Sequence, residues 1–298
     1  MLTTRQGSGA CTGDLKFFAL SVGPHDARVF YGPKNPYVMY GSTSKFTCFG
    51  QWILDFRLTM DWPFEIFRAE QFRDPTELQR PKPYGRVEKN FFIFWDKNEE
   101  MYAHYDTTPK RVFSKLSWDG SAGSNLASHT AANDEKCLAK YLPGDLDPEN
   151  QSIHQATNSL SITLCKRSDP ACKPDDSNTF IINIIQHKKY YSFHSVYEPY
   201  VVLFQQAKPF ALHGISEKPL WISGRGKPGE WTKPDGNSLP EQTQMFYVTS
   251  ISWKQQGQKY HGYIDDVIFV LFGIEDADTG GIDLLAGDLV ANLGLCAS

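Results

Sequence analysis

The feature that most constrains the fold is a series of short apolar runs separated by turns, with no sustained helical periodicity anywhere in the chain. Runs of about four to eight residues rich in Val, Ile, Phe and Tyr predict strands, and the Gly, Pro, Asn and Asp residues between them predict turns. Phe91–Trp95, followed by the turn Asp96–Glu99, is a clear example. The pattern therefore predicts an all-β chain.

The predicted strands fall into four groups of three or four at irregular spacing. The groups span residues 29–58, 91–116, 159–216 and 245–290. A further apolar run, Phe17–Val22, predicts one more short strand. Repeated groups of this size predict a β-propeller of about four or five blades, with a sandwich or a barrel as alternatives. In a propeller, polar motifs at the entries of the inner strands would meet in one funnel.

Composition also marks the boundaries of the domain. Residues 1–16 are rich in Gly, Ser and Thr, which predicts a loose N-terminal segment. The remainder, 17–298, is predicted to form a single propeller domain. Two polar stretches, about 117–150 and 217–243, predict inserted loops, the first with a short helix at Asp134–Tyr141.

The overall composition weakens several classes of function. The net charge is −4 and no basic patch is visible, which argues against a nucleic-acid partner. Aromatic residues make up 14% of the chain, which suits stacking against sugar rings, although core packing is the ordinary alternative. The sequence has no P-loop, dinucleotide fingerprint, Gly-x-Ser-x-Gly elbow or His-Glu-x-x-His motif. We therefore predict no P-loop NTPase, serine hydrolase or metalloprotease, and no cofactor.

The six cysteines bear on the compartment. None of their spacings matches a zinc site. Cys165 and Cys172 flank a turn-rich loop that a disulfide could close, and the even count is a weak indication of an oxidising compartment. The N-terminus lacks an apolar signal core, and no stretch is long enough to span a bilayer. Two interpretations stay open: a cytosolic protein, or one whose signal or anchor lies upstream of Met1.

The first polar motif lies just before a predicted strand at Val29–Tyr31. It places His25, Asp26 and Arg28 within four positions, beside Gly-Pro. An acid and a base on a loop at a strand entry are typical of an acid–base centre. The alternatives are that Arg28 lowers the pKa of Asp26 by ion pairing, or that Asp26 caps backbone amides in a turn.

The second polar motif, Glu88-Lys89-Asn90, lies directly before the apolar run Phe91–Trp95. It combines an acceptor, a cation and an amide, which suits sugar hydroxyls or a phosphate. The alternative is an exposed turn. The continuous apolar run after it indicates a buried strand, which favours the functional interpretation.

Eight further polar residues are weaker candidates, for which a structural role is the ordinary alternative. They are His104, His154, Gln155, Glu198, His261, Asp265, Asp266 and Asp276. The adjacent carboxylates of Asp265 and Asp266 can raise one another's pKa and serve as acid or base, or they can cap a turn. The spacing Asp276-Ala277-Asp278 occurs in metal-bound nucleotide motifs but is also frequent in turns, and we predict no metal site.

These motifs, in their order along the chain, resemble two related groups of carbohydrate-active enzymes. Gly23–Phe30 followed by Glu88–Phe91 resembles the paired motifs of five-bladed propeller enzymes such as glycoside hydrolase family 130, the mannoside phosphorylases and hydrolases. Ile153–Leu160, Tyr260–Asp266 and Phe272–Asp276 are more similar to the fungal β-mannosyltransferase family, which adds β-1,2-linked mannose to cell-wall glycans. The resemblance covers nearly the whole chain.

The resemblance implies specific roles. Asp26 falls where the propeller enzymes keep their key Asp, and Arg28 matches the Arg after it. Glu88, Lys89 and Asn90 match the second motif, and Asp276 lies where the last blade has a polar sugar contact. Two residues depart from the pattern: Ala27 replaces Pro, and His25 replaces Glu. A fifth blade is not evident, so the resemblance implies that its missing strands lie upstream of Met1.

The function implied by the resemblance is inverting transfer of mannose from a sugar nucleotide, GDP-mannose, to a mannan or oligosaccharide acceptor in the Golgi, or as a secreted protein. Asp26 would take the acceptor proton. Glu88, Lys89 and Asn90 would hold the sugar or diphosphate, and Arg28 would balance the charge of the leaving group. β-Mannoside hydrolysis or phosphorolysis is the alternative, with phosphorolysis weaker because no cation cluster is evident. A non-catalytic carbohydrate-binding propeller is a second alternative. The oligomeric state stays open.

Overall fold

The structure is a computed structural model that describes residues 10–20, 23–60, 71–191, 194–233, 236 and 240–296. Strands take up 42% of it and helices 11%, so the predicted all-β fold is confirmed. The strands are β1 His25–Tyr31, β2 Pro36–Thr43, β3 Phe49–Asp55, β4 Thr76–Glu77, β5 Phe92–Trp95, β6 Met101–Asp106, β7 Val112–Lys115, β8 Gln151–Gln155, β9 Leu160–Thr163, β10 Thr179–Tyr191, β11 His194–Gln205, β12 Leu212–Ser216, β13 Phe246–Trp253, β14 His261–Tyr263, β15 Val267–Ile274, β16 Asp278–Leu285 and β17 Leu293–Leu295. The helices are α1 Lys16–Leu20, α2 Ala131–Tyr141 and α3 Ala286–Leu289, with 3-10 turns at Gly13–Leu15, Phe56–Thr59 and Ala127–His129.

The chain divides into two compact units. Unit 1 comprises Met1–Tyr105 and Val112–Ser128, and unit 2 comprises Asp106–Arg111 and His129–Ser298. Small sheets of sequential strands, such as those in unit 1, are the kind from which propeller blades are built. The closure of five blades within a single domain stays a prediction.

Unit 1 contains two sheets, ordered β1-β2-β3-β4 and β5-β6-β7. β2 and β3 are buried along their whole length, so both faces are covered and both strands have long apolar stretches. Val38, Tyr40, Trp52 and Leu54 pack together as a core cluster. The pairing of β1 with β2 shifts between His25 and Arg28, which marks a β-bulge at the start of β1.

Unit 2 contains a seven-stranded sheet, ordered β14-β9-β10-β11-β12-β17 with β8 also on β10, and a three-stranded sheet, β13-β15-β16. The long β10–β11 hairpin pairs from Phe180 with Gln205 to Tyr191 with His194. A buried ion pair joins Arg111 to Asp134 at 2.7 Å. Asp134 lies in α2, so this pair anchors the helix of the predicted 117–150 insertion.

The structure corrects two expectations about the N-terminal third. Phe17–Val22 was expected as a strand, but Lys16–Leu20 forms α1, because periodicity cannot separate helix from strand over five residues; residues 21–22 lie outside the described residues. Most of the predicted loose segment, residues 1–9, also lies outside the described residues, and Cys11 is bonded to Cys48. β1 begins at His25, so the first motif lies inside the strand, at its bulge, rather than before it.

Three disulfides are formed among the described residues. The expected pair, Cys165–Cys172, is confirmed, and Cys11–Cys48 and Cys137–Cys296 accompany it. Three disulfides indicate a protein of an oxidising compartment, the secretory pathway or the extracellular space. Within the described ranges, no helix has the length and apolar character needed to cross a membrane.

Candidate active site

A small open pocket lies in unit 1, with about 310 Å³ of non-atom space when the solvent at its mouth is included. Strands β1, β2, β3 and β5 and the segment entering β5 form its walls. The lining residues are Asp26, Arg28, Met39, Gly41, Phe49, Gln51, Lys89, Asn90 and Phe92. The two polar motifs of the sequence therefore meet at one pocket.

The backbone has the same unusual conformation at two of these residues. Asp26 has φ 51° and Asn90 has φ 59°, both in the left-handed region that Asp and Asn tolerate better than other side chains. At Asp26 the bulge in β1 produces this turn of the chain, and bulges commonly re-aim a side chain beside an active site. At Asn90 the left-handed conformation turns the chain just before β5 begins. Each conformation costs about 1 kcal/mol or more.

The charges of the pocket are one carboxylate and two cations among its lining residues. Arg28 is held over the ring of Phe92, with its guanidinium carbon 5.3 Å from the ring centroid. Within the described part of the chain, the side chains of Asp26, Lys89 and Asn90 form no hydrogen bond or ion pair. They are therefore available to a bound molecule.

The apolar part of the pocket depends on one glycine. A Cβ at Gly41 would lie 2.4 Å from the ring of Phe49, so only glycine allows this ring to pack against β2. Gln51 donates its side-chain N–H to the carbonyl of Phe91 at 3.0 Å, which ties β3 to the start of β5. Sequence reasoning missed Gln51, although a single amide in the buried apolar run of β3 was a usable signal.

Glu88, expected to contact sugar, is not among the lining residues. It is buried, accepts hydrogen bonds from the Arg80 guanidinium at 3.1 Å and from the backbone N–H of Gly85, and its own N–H donates to the carbonyl of Phe49. It thus fixes the backbone next to Lys89. Two expected histidines also lie outside the lining: His25 is 5.6 Å from the ring of Phe49, and His104 is buried within β6.

The paired carboxylates Asp265 and Asp266 in unit 2 do not raise one another's pKa. Although burial raises the pKa of Asp266, hydrogen bonds from Arg167, the Tyr263 N–H and Gln258 outweigh it and hold that pKa below its usual range. The Asp266–Arg167 pair is bidentate, at 2.9 and 2.6 Å. For Asp265, the backbone N–H groups of Arg167 and Ser168 likewise outweigh desolvation and lower the pKa. The two carboxylates expected to be an acid–base pair therefore bind the Cys165–Cys172 loop through hydrogen bonds to Arg167 and Ser168.

Most of the other candidates in unit 2 have partners within that unit. His261 bonds the Thr163 hydroxyl at 2.8 Å, and burial lowers the pKa of its imidazole. Glu198 pairs with Arg225 at 3.1 Å. The remaining three are His154, close to the rings of Tyr197 and Tyr247; Gln155, which donates to the Thr157 carbonyl; and Asp276, exposed in the β15–β16 turn. In the described ranges, no three or more His, Cys, Asp and Glu side chains are grouped so that they could hold a metal ion.

Comparison with known proteins gives distant likenesses. No family model and no curated protein matches the chain. A glycosyl hydrolase from Bacteroides ovatus is similar over 87% of this chain and 83% of its own, at 9% identity and a TM-score of 0.32. The Bacillus subtilis arabinanase Arb43A is similar over 88% and 73%, at 10% identity and a TM-score of 0.35. A structure from the GH130 family of mannoside phosphorylases, described as containing hydrolases that target β-1,2 mannosidic linkages in Candida mannan, is similar over 94% and 92%, at 10% identity and a TM-score of 0.31. None of the site assignments rests on these likenesses.

Proposed function

We propose that the unit 1 pocket is the reaction centre of a carbohydrate-active enzyme that cleaves β-mannosidic bonds with phosphate. The observation that carries this proposal is the charge of the lining: one carboxylate, Asp26, with two cations, Arg28 and Lys89. An inverting hydrolase needs two carboxyl groups, about 6.5–9.5 Å apart. Phosphorolysis needs one acid and a place for an anion, which guanidinium and ammonium groups provide.

Each group then has a defined role. Asp26 gives its proton to the glycosidic oxygen while a phosphate oxygen attacks the anomeric carbon and the glycosidic C–O bond breaks. The products are a sugar 1-phosphate and a shortened saccharide. Arg28 and Lys89 hold the phosphate, and Asn90 bonds sugar hydroxyls. The sequence argued against phosphorolysis because no cation cluster was evident, but the two cations come from separate motifs and meet only in the fold. The preference for mannose comes from the motif resemblance.

Mannosyl transfer from a sugar nucleotide is a second candidate, because the same lining suits it. Asp26 would take the proton of the acceptor hydroxyl, and Arg28 and Lys89 would stabilise the departing diphosphate. The similarity of several motifs to the fungal β-mannosyltransferases favours this reaction. The two reactions differ in the source of the phosphate: in transfer it belongs to the sugar-nucleotide donor, whereas in phosphorolysis it is free inorganic phosphate.

The test is an assay of the full chain in three mixtures: a β-1,2-manno-oligosaccharide without phosphate, the same with phosphate, and GDP-mannose with the oligosaccharide. Mannose 1-phosphate formed only with phosphate supports phosphorolysis. An elongated saccharide with release of GDP supports transfer instead. Free mannose formed equally fast without phosphate would contradict both reactions.

The matched control is Asp145→Asn. Asp145, like Asp26, is an exposed Asp with φ near 50°, but it does not line the pocket. We expect Asp26→Asn to lower turnover sharply and Asp145→Asn to leave it unchanged. Saccharide binding without turnover in any mixture, unaffected by Asp26→Asn, would indicate a binding protein rather than an enzyme.

A further inference from the structure

A segment that the proposed reaction does not use lies beside the pocket. Residues 11–20, here called the tethered segment, contain α1 and are linked by a disulfide from Cys11 to Cys48. Cys48 directly precedes Phe49, which lines the pocket. One end of the tethered segment is therefore covalently fixed next to the pocket wall.

A second tether connects the same segment to the chain that leads to Lys89 and Asn90. Arg86 donates to the Thr12 carbonyl at 3.0 Å and pairs with Asp14 at 3.0 Å. The hydrogen bond and charge of Arg86 lower the pKa of Asp14, so the pair is intact at neutral pH. Arg86 lies three residues before Lys89, so this tether also ends close to a lining residue.

Three aromatic rings run from the pocket wall to the surface. The ring of Phe18 lies 4.8 Å from that of Phe49, and the ring of Phe17 lies 4.2 Å from that of Phe18. Phe17 is 58% exposed, although it is a large apolar side chain. A row of rings that begins at the apolar wall of the pocket and ends at an exposed side chain offers an apolar surface continuous with the proposed reaction centre.

We propose that Phe17 and Phe18 form a second saccharide subsite, which stacks against the sugar unit next to the one held in the pocket. This inference rests on the proposed function, in which the pocket binds a saccharide. A saccharide also suits the aromatic rings, because the apolar C–H face of a sugar ring packs against an aromatic face. The Cys11–Cys48 disulfide keeps the segment next to the pocket wall before the saccharide arrives, which reduces the entropy lost on binding. The subsite makes the protein select chains of two or more sugars.

The test measures binding directly, by calorimetric titration of mannose, β-1,2-mannobiose and β-1,2-mannotriose into the full chain. We expect the second sugar to strengthen binding about three- to tenfold, the size expected of an aromatic contact. Phe17→Ala should remove this gain and leave mannose binding unchanged. Phe46→Ala is the matched control, since Phe46 is 46% exposed in the same unit but is outside the row.

Several outcomes would overturn the subsite: no gain with chain length in the unaltered protein, an undiminished gain in Phe17→Ala, or an equal loss in Phe46→Ala. Because the titration needs no turnover, it separates the two proposals. A gain in affinity that depends on Phe17, without turnover of any substrate, would support the subsite and contradict the proposed reaction. Turnover together with a gain in affinity that is unchanged in Phe17→Ala would contradict the subsite and support the reaction.

Discussion

Two stretches that the sequence offers as acid–base candidates, one at Asp26 and one at Asp265 and Asp266, are used in opposite ways by the two units. In unit 2, Asp266 accepts hydrogen bonds from Arg167, Gln258 and the Tyr263 backbone. In unit 1, the carboxylate of Asp26 bonds to no residue within the described ranges and lines a pocket. A carboxylate satisfied by its own chain stabilises the fold, whereas one held unpaired at a pocket is available to a ligand.

The backbone shows the same contrast. Asp26 has a positive φ at a bulge, which costs stability, while Asp265 and Asp266 fasten a disulfide-closed loop to β14 and the turn after it. Functional sites commonly give up local stability that the rest of the fold supplies. The contrast therefore predicts which substitutions affect activity and which affect stability.

The largest expected effect is on activity, at Asp26. Asp26→Asn should lower turnover about 100- to 10,000-fold, because the amide cannot transfer the proton. The melting temperature should stay the same, since no contact of the fold is lost. Activity assays paired with thermal melts check both parts. A large fall in melting temperature would show that Asp26 is structural, like Asp266, and would remove the contrast.

The same comparison can be made for two cationic side chains, one in each unit: Arg111 and Lys89. Arg111→Met should destabilise unit 2 by about 3–5 kcal/mol, because it leaves the buried Asp134 carboxylate without its partner. Lys89→Met should leave stability unchanged and raise the KM for phosphate about tenfold or more, because one charge-assisted contact is lost. Chemical denaturation and steady-state kinetics measure the two effects. Equal stability losses in both variants would contradict the assignment of Lys89 to ligand binding.

Asp266→Asn should destabilise the protein by about 1–2 kcal/mol. The loss is moderate because Arg167 is half-exposed and solvent screens the pair. Turnover per folded molecule should not change. Urea unfolding monitored by fluorescence gives the first quantity, and activity corrected for the folded fraction gives the second. A specific loss of turnover at full folding would place Asp266 in the reaction.

The smallest effect is the pH dependence of that same contact. The pKa of Asp266 is lowered in the fold, so its contribution to stability is present above the unfolded pKa, about 4, and is lost as the pH falls. The difference in free energy of unfolding between the unaltered protein and Asp266→Asn should therefore be constant near neutrality and shrink below about pH 4. A difference that grows on acidification would have the wrong sign.

The sequence predicted most strands but not the contacts of its polar residues. β5 and β10 were evident because long apolar runs between turns have few other solutions. α1 was missed because five residues carry too little periodicity. Glu88 and Lys89 are neighbours in one motif, yet only Lys89 lines the pocket, because Glu88 is bonded instead to Arg80 and to the Gly85 N–H, contacts that the sequence does not reveal. Asp266 could not be assigned either, since Arg167 lies 99 residues away in the chain.

The Cys137–Cys296 disulfide has a consequence for how the protein responds to proteases. It joins α2 to the residue following β17, 159 positions away, and so encloses the 217–243 stretch within one covalent ring. A single cut in that stretch would leave both fragments attached. The nicked protein would migrate as one band on a non-reducing gel and as two after reduction. Unit 2 would thus stay one molecule after cleavage in this stretch.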